Sequence, residues 1–569
     1  MNIQRPIGLT KGPGETPHDF TFVSPDQEQA LKVGEFIAYH TEADGQERAI
    51  FGRVTDRRPL RLYPDAFLAD PSIDPDDVAG LIGYHQQEHE LFELTATVVG
   101  YYDDELGDFI NPRLPPRTGR SIYLAGDEAL TQVLAKKRVG EVGAAHIGSL
   151  LTREKDVVPI ALDLRAITST HLAILAATGS GKSYLAAVLL EEMMKPFNRA
   201  ATLIVDPHGE YDTLSEMMNH EAFVEPPPVD ASQPTYRPEV RIFRPGNVKV
   251  RVSALSIGDL YYLLPNLSER MEYLLRRAYR DVREQSKKDK GDPERWTRAE
   301  LHNRLRQLGE GIGEAGDEGD DRYAGTADAL IWRLESVLHH SVIFDDFQHL
   351  ELAELLHPGR CSVLQLNEVD EREQQVMVAT LLRRLFRARA QTVKGQAGER
   401  DELYLPYPAF ILIEEAHRFA PASASVVSTG ILKQVLAEGR KFGVAVGLIS
   451  QRPGKLDGDV LSQCSTQFIM RIVNPVDQAR VAESVETVGR ELLRELPALT
   501  KGQVIVAGEA VNTPVLCRVR TRHTRHGAET RDAPAEWMSF FDEDEEARRE
   551  RETALPVEPG KSRKSKMFK

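Results

Sequence analysis

Residues 174–183 read Ile-Leu-Ala-Ala-Thr-Gly-Ser-Gly-Lys-Ser and constrain this chain more than any other stretch. A short apolar strand runs into a glycine-rich turn and then into a helix that opens with Tyr184 and Leu185. Gly179 and Gly181 let the backbone turn so that successive N–H groups face phosphate oxygens. Lys182 supplies a point charge for the β- and γ-phosphates of a nucleotide, and Ser183 a hydroxyl for Mg²⁺. The helix N-terminus behind them adds a dipole that favours the same anion. The candidate nucleotide-binding residues are therefore Thr178, Gly179, Ser180, Gly181, Lys182, Ser183 and Tyr184. One departure from the usual spacing is Ala176, which stands where a first glycine is common; alanine suits that place if its φ stays negative.

Such a loop implies a strand–helix–strand unit. Ala201–Asp206 supplies the second strand and residues 184–195 the crossover helix, so a parallel sheet with the nucleotide at the strands' carboxyl ends is predicted. At 569 residues the chain is long enough for several domains. Residues 1–140 hold short apolar segments (36–39, 49–54 and 94–101) between Asp, Gly and Pro clusters, a texture that predicts a small β-barrel. Residues 141–255 form the first part of the α/β core. Residues 256–345 read as a helical insertion, with helices over 260–285 and 327–338 and a charged, glycine-rich linker at 311–321. The core resumes over 346–521, with strands at 361–366, 409–413, 444–450 and 467–472, a helix at 373–392 and a closing hairpin of 503–507 with 515–519. Residues 522–569 read as a polar tail with an acidic run at 542–546 and a basic end at 561–569.

A net charge of −16 excludes a surface that is basic all over, while leaving room for local basic loops. Cys361, Cys464 and Cys517 lie far apart, without metal-ligand spacing, which predicts a reducing compartment. No apolar run reaches the ~18 residues of a membrane span, and the first residues lack a signal-peptide core. A cytoplasmic location is expected.

Two further segments complete the candidate chemistry. Phe410-Ile411-Leu412-Ile413-Glu414-Glu415-Ala416-His417 is an apolar strand that ends in paired carboxylates. Beside a phosphate loop, Glu414 can hold the Mg²⁺ hydration shell with Ser183, and Glu415 can orient and deprotonate the attacking water, although the two roles are interchangeable at this stage. Leu203–Tyr211 places Asp206 at the carboxyl end of the neighbouring strand, where it is expected to point towards the phosphates and to bind a magnesium water or position the nucleophile. His208 and Glu210 are expected to be loop residues that serve local backbone groups.

These three segments, in this order, resemble the HerA family of hexameric DNA translocases within the HerA and FtsK superfamily. The approach to the loop, Ile147-Gly148-Ser149, Pro159–Asp163 and His171–Ile174, is similar too, and the resemblance extends over about residues 1–520. It implies an α/β fold: a RecA-like P-loop ATPase core with an N-terminal β-barrel domain and an inserted helical bundle. It also implies ATP and Mg²⁺, a homo-hexameric ring around double-stranded DNA, and a nuclease partner such as NurA, or another effector, at the N-terminal domain. Further expectations follow from it. Arg440, with Lys441 as fallback, would reach a neighbouring subunit's γ-phosphate, and Gln451 would sense the γ-phosphate beside Arg452. Loops 417–428 and 451–457, carrying Arg418, Phe419, Arg452 and Lys455, would face DNA. Arg383, Arg384, Arg387 and Arg389 form either a basic stripe or an inter-subunit face. Readings that compete with a motor are an ATP-binding ring that organises an effector, a conjugation or secretion ATPase and, more remotely, a metabolic kinase.

Overall fold

The computed structural model describes residues 6–13, 18–26, 30–43, 46–60, 72, 74, 91–103, 105–226, 235–310, 324–485, 489–527 and 532–542. The expected linker at 311–321, the basic end at 561–569 and all of the acidic run beyond Asp542 lie outside these residues.

The first strands are β1 (Gly8–Pro13), β2 (Asp19–Ser24), β3 (Phe36–Ala43), β4 (Gln46–Pro59), β5 (Phe92–Asp103), β6 (Asp108–Ile110) and β7 (Ser121–Leu124). They pair in the order β2-β1-β7-β3-β4-β5-β6, and β2 also pairs with β5, which closes a six-stranded barrel. Closure removes the open edges that would otherwise template aggregation. Alternate residues point inward, and Phe20, Phe22, Ile37, Tyr39, Ile50, Val54, Leu94 and Ile122 fill the interior. The barrel is fastened to the rest of the unit by Arg153, which donates to Glu35 at 3.0 Å, Asp127 at 2.9 Å and the Ala125 carbonyl at 2.9 Å.

The core sheet comprises β8 (Ala144–Leu150), β9 (Pro159–Asp163), β10 (Leu172–Leu175), β11 (Thr202–Asp206), β12 (Glu239–Phe243), β15 (Arg360–Gln365), β16 (Ala409–Ile413), β17 (Val444–Ser450), β18 (Thr466–Ile469), β19 (Gln503–Gly508) and β20 (Val515–Val519); the short β13 (Val250–Arg251) and β14 (Phe344–Asp345) pair with each other. Its order is β12-β15-β11-β16-β17-β10-β18-β19-β20-β8-β9, parallel from β12 to β18 and antiparallel beyond. Every residue of β11, β16 and β17 is buried, as a parallel sheet covered on both faces requires. Ile411, Ile413, Val446 and Leu448 pack into one hydrophobic layer, and Phe410, Leu412, Ala445 and Ile449 into the other.

The principal helices are α1 (Lys182–Met193), α2 (Ile257–Leu263), α3 (Glu269–Lys290), α4 (Arg298–Gly309), α5 (Ala324–Leu338), α6 (Glu371–Val393) and α7 (Val427–Glu438). The single helix expected over 260–285 is two. Pro265 disfavours helical backbone at Leu264, Asn266 adopts φ +61°, and Ser268 caps α3 by accepting the Met271 N–H at 3.3 Å. Leu274, Leu275, Leu301, Leu305, Leu330 and Leu334 of the insertion belong to the same hydrophobic layer as one face of the sheet.

Residues 522–525, expected in the tail, pack against the core. The buried Glu191 of α1 accepts the N–H groups of His523 and Thr524 at 2.9 Å each, and Arg520 pairs with Glu191 at 3.0 Å and Glu192 at 2.8 Å. Two buried carboxylates on one helix need such partners, which is why the chain follows them. The described residues beyond Arg525 belong to a second unit, which carries the helix Ala533–Asp542.

Candidate active site

β10 lies between β17 and β18, next to last of the parallel strands and sixth of the eleven in the sheet, so the loop that leaves its carboxyl end emerges at the centre of the whole sheet. Gly179 has φ +79° and Gly181 φ +104°; Gly181 caps α1 in left-handed backbone that disfavours any side chain. Ala176 is absent from the non-glycine residues with positive φ, consistent with its place in the turn. Neighbouring segments brace the loop: Ala177 N–H donates to the Arg471 carbonyl at 2.9 Å, and Gly502 N–H to the Ser180 carbonyl at 3.3 Å. Ser180 Oγ is spent on the Ala177 carbonyl at 2.6 Å. Tyr184 faces away from the turn, its hydroxyl accepting the Arg522 N–H at 2.8 Å.

β16 delivers Glu414 and Glu415, 0% and 2% exposed, beside this loop. Lys182 Nζ lies 2.8 Å from Glu414 and 3.4 Å from Glu415. Ser183 Oγ lies 3.2 Å from Glu414 Oε1 and 2.5 Å from Glu210 Oε2, and Tyr211 donates to Glu414 at 3.3 Å. Burial drives the Glu414 pKa up; Lys182 opposes this, and Glu415 and Glu210 add to the rise. For Lys182, burial acts downward, yet the pull of the three glutamates outweighs it and its pKa is raised. Lys182 is thus shared among three carboxyl groups.

Glu415 sits at φ +52°, a left-handed conformation that a non-glycine residue adopts at a cost of about 1–3 kcal/mol. One carboxylate oxygen accepts the Gln451 amide, while Gln451 Oε1 accepts the Thr178 hydroxyl at 2.7 Å. His417 Nδ1 lies 3.3 Å from the other oxygen and His208 Nε2 3.8 Å from the first. The structure thus brings Thr178, Lys182, Ser183, Glu414, Glu415 and Gln451 together.

Asp206, at the carboxyl end of β11, is bound into its own following loop. Its carboxylate accepts the N–H groups of His208 at 3.2 Å, Gly209 at 2.8 Å and Tyr211 at 3.3 Å, so it anchors the loop that follows its strand. Burial raises its pKa against the pull of those N–H groups. The loop so formed carries Glu210 to Ser183, a contact that corrects the purely local role expected of Glu210. Arg471 and Lys501 were also missed as neighbours of the phosphate loop. Both are exposed, and Lys501 Cγ lies 3.9 Å from where a side chain on Gly181 would begin. The signal for Arg471 was its position just past the strand beside β10; nothing local marked Lys501.

Arg440 and Lys441 are exposed in a helical turn between α7 and the start of β17. Because β17 runs parallel to β10, that end is the sheet edge opposite the phosphate loop. Loops 417–428 and 451–457 pair with each other through a Pro421–Leu456 bridge, Ala422 N–H to the Lys455 carbonyl at 2.8 Å and Asp457 N–H to the Ala420 carbonyl at 2.9 Å. Arg452 and Lys455 are exposed and Arg418 half-buried, whereas Phe419 is core.

The arginines of α6 form no free basic stripe. A cavity of about 910 Å³ between α6 and the insertion is lined by Arg383, Arg384 and Arg387. Arg383 pairs with Asp259, Arg384 with Glu351 at 3.1 Å and Arg387 with Glu294 at 3.3 Å. Arg389 is buried and donates to the Phe442 and Leu405 carbonyls. The cluster ties the insertion to the core.

Among the described residues no group of three or more His, Cys, Asp or Glu is arranged to hold a metal ion. Magnesium asks for less, one or two protein oxygens with phosphate and water completing its octahedron. Ser183 Oγ and Glu414 fit that demand, since Glu414 Oε2 is buried without a hydrogen-bond partner.

The sequence profile of the helicase HerA central domain matches residues 145–385. The DNA double-strand break repair helicase HerA of Pyrococcus furiosus is 28% identical over 468 residues, 77% of this chain and 79% of that protein. The chain is thus similar to HerA helicases over most of its length, and its residues 145–385 match their central domain. A probable HerA of Methanocaldococcus jannaschii is 26% identical over 546 residues, 90% of this chain and 99% of that one. Among solved structures, VirB4 of Thermoanaerobacter pseudethanolicus aligns with a TM-score of 0.44 at 14% identity, over 68% of this chain and 98% of that one.

Proposed function

We propose that this chain, similar to HerA helicases over most of its length, is an ATP-driven motor on double-stranded DNA, assembled as a hexameric ring whose nucleotide sites are completed by a neighbouring subunit. The observation that carries the reading is the meeting of Lys182, Ser183, Glu414 and Glu415 at one edge of a buried parallel sheet. Lys182 holds the β- and γ-phosphates, and Glu415 orients the attacking water and takes its proton. Gln451, joined to both Glu415 and Thr178, links the base to the phosphate loop. Magnesium, held by Ser183 and Glu414, would neutralise charge on the phosphate oxygens. Arg440 serves the neighbouring subunit's site, a role that fits its place on the far edge of the sheet.

The relatives named DNA double-strand break repair helicases support DNA repair as the setting; within this reading the chain serves DNA end processing or, alternatively, defence against phage. The barrel offers a docking face for a nuclease of the NurA kind, in the cytoplasm. Among the described residues no helix is long and apolar enough to cross a membrane. The test is ATP hydrolysis with and without linear duplex DNA at low and moderate salt. Stimulation that fades with salt is expected, because phosphate contacts release counterions; a rate indifferent to DNA would favour a ring that organises an effector.

A further inference from the structure

Glu415 is held at both carboxylate oxygens, and the second holder leads out of the site. His417 Nδ1 lies 3.3 Å from Glu415 Oε2 and also 3.3 Å from Ser450 Oγ. Burial lowers the pKa of this imidazole; Glu415 opposes, while Arg418, Arg452 and Lys455 reinforce the lowering. A neutral ring carries one hydrogen. With that hydrogen on Nδ1, His417 donates to Glu415 and restrains the base. With it on Nε2, Nδ1 accepts the Ser450 hydroxyl and Glu415 is released. The two arrangements exclude each other, which makes this a two-state element of the kind coupling requires.

The other end of the element lies on the basic loops. The hydroxyl of Ser450, itself fully buried, accepts the Arg452 N–H at 3.1 Å. Arg452 is exposed and opens the loop that pairs with residues 420–422. A DNA phosphate that draws Arg452 outward therefore pulls on the atom that competes with Glu415 for His417. Gln451, between Ser450 and Arg452, transmits the same displacement to Glu415 and to Thr178 of the phosphate loop.

We infer that His417 and Ser450 are positioning residues that couple duplex DNA at the 418–422 and 452–457 loops to the orientation of Glu415. The inference rests on the DNA-motor reading. Its test is the steady-state ATPase rate of the full chain with and without linear duplex DNA, for wild type, His417→Ala, His417→Asn and Ser450→Ala, with DNA affinity measured in parallel by fluorescence anisotropy.

A coupling of this kind is worth on the order of tenfold in rate. His417→Ala and Ser450→Ala should bring the ratio of DNA-stimulated to DNA-free kcat down to about one, with KM for ATP and DNA affinity each within about twofold of wild type. His417→Asn, whose amide presents a donor or, flipped, an acceptor near the Nδ1 position, should recover most of the ratio. A stimulated wild type whose alanine variants keep the full ratio would overturn the coupling alone. Equal loss with and without DNA in all three variants would assign the pair a merely structural role and overturn it too. A wild type indifferent to DNA would overturn the motor reading and the coupling with it.

Discussion

If Arg440 completes a neighbour's site, two inactive variants should rescue each other. The seven residues of β17, at about 3.3 Å each, put Arg440 some 20 Å from the Ser450 end of the strand, where the subunit's own phosphate loop lies. An arginine side chain does not span that gap, so Arg440 cannot serve its own nucleotide. Arg440→Ala alone should lower turnover about 10³-fold or more while leaving nucleotide affinity intact. Glu415→Gln should bind ATP and turn it over about 10²–10⁴-fold more slowly.

When the two variants are co-expressed with different tags and purified through both, each ring contains both subunits in a head-to-tail arrangement. A site is whole when a subunit with Glu415 meets a neighbour with Arg440. With equal random mixing each condition holds half the time, so roughly a quarter of the sites are whole and turnover recovers to about a quarter of wild type. The assay is phosphate release by the doubly purified rings against each variant alone. Mixed rings no more active than the average of the two variants would refute action across the interface.

Lys182→Ala removes the ammonium that faces Glu210, Glu414 and Glu415, and titration with a fluorescent ATP analogue should show binding abolished. Glu210→Gln should raise the Mg²⁺ concentration needed for half-maximal turnover, because Glu210 orders the Ser183 hydroxyl; an unchanged Mg²⁺ titration would return Glu210 to a local role. Arg452→Ala and Lys455→Ala should each weaken duplex binding regardless of sequence and flatten the log–log salt dependence by about one unit. His171 should contribute acid sensitivity. Its Nδ1 accepts the Val446 N–H at 3.1 Å and its Nε2 bonds the Leu436 carbonyl at 2.9 Å, which fixes the neutral ring, and burial lowers its pKa from 6.5 to about 4. Between those values the unfolded chain binds a proton that the folded chain does not, so stability rises with pH there. Relative to His171→Asn, which tolerates the φ of +62°, wild type should lose about 1.4 kcal/mol per pH unit as pH falls through that window. Denaturant titrations at four pH values would check the slope.

The phosphate loop and the strand ending in Glu414-Glu415 were legible because local sequence dictates both: glycines where the backbone must turn left-handed, and a fully apolar strand whose first charged residues mark its carboxyl end. The barrel was legible from the density of turns, although its closure depends on the long-range β2–β5 pairing. The loop-anchoring contacts of Asp206 were not legible, because they depend on backbone geometry two to five residues on. Glu210 was undervalued for the same reason, since only the Asp206-anchored turn carries it to Ser183. The four arginines of α6 looked like a stripe, but their partners Asp259, Glu294 and Glu351 are distant in sequence. Lys501 reaches the site through the β18–β19 register, which no local pattern encodes.

The central claim is that hydrolysis moves the ring along duplex DNA. The measurement that meets it most directly is ATP-dependent displacement of a triplex-forming third strand from linear duplex DNA, in which the motor need only travel along the duplex. Displacement by wild type that requires ATP and is lost in Lys182→Ala and Glu415→Gln is the predicted result. Full ATP turnover on that DNA with the third strand left in place would contradict the account.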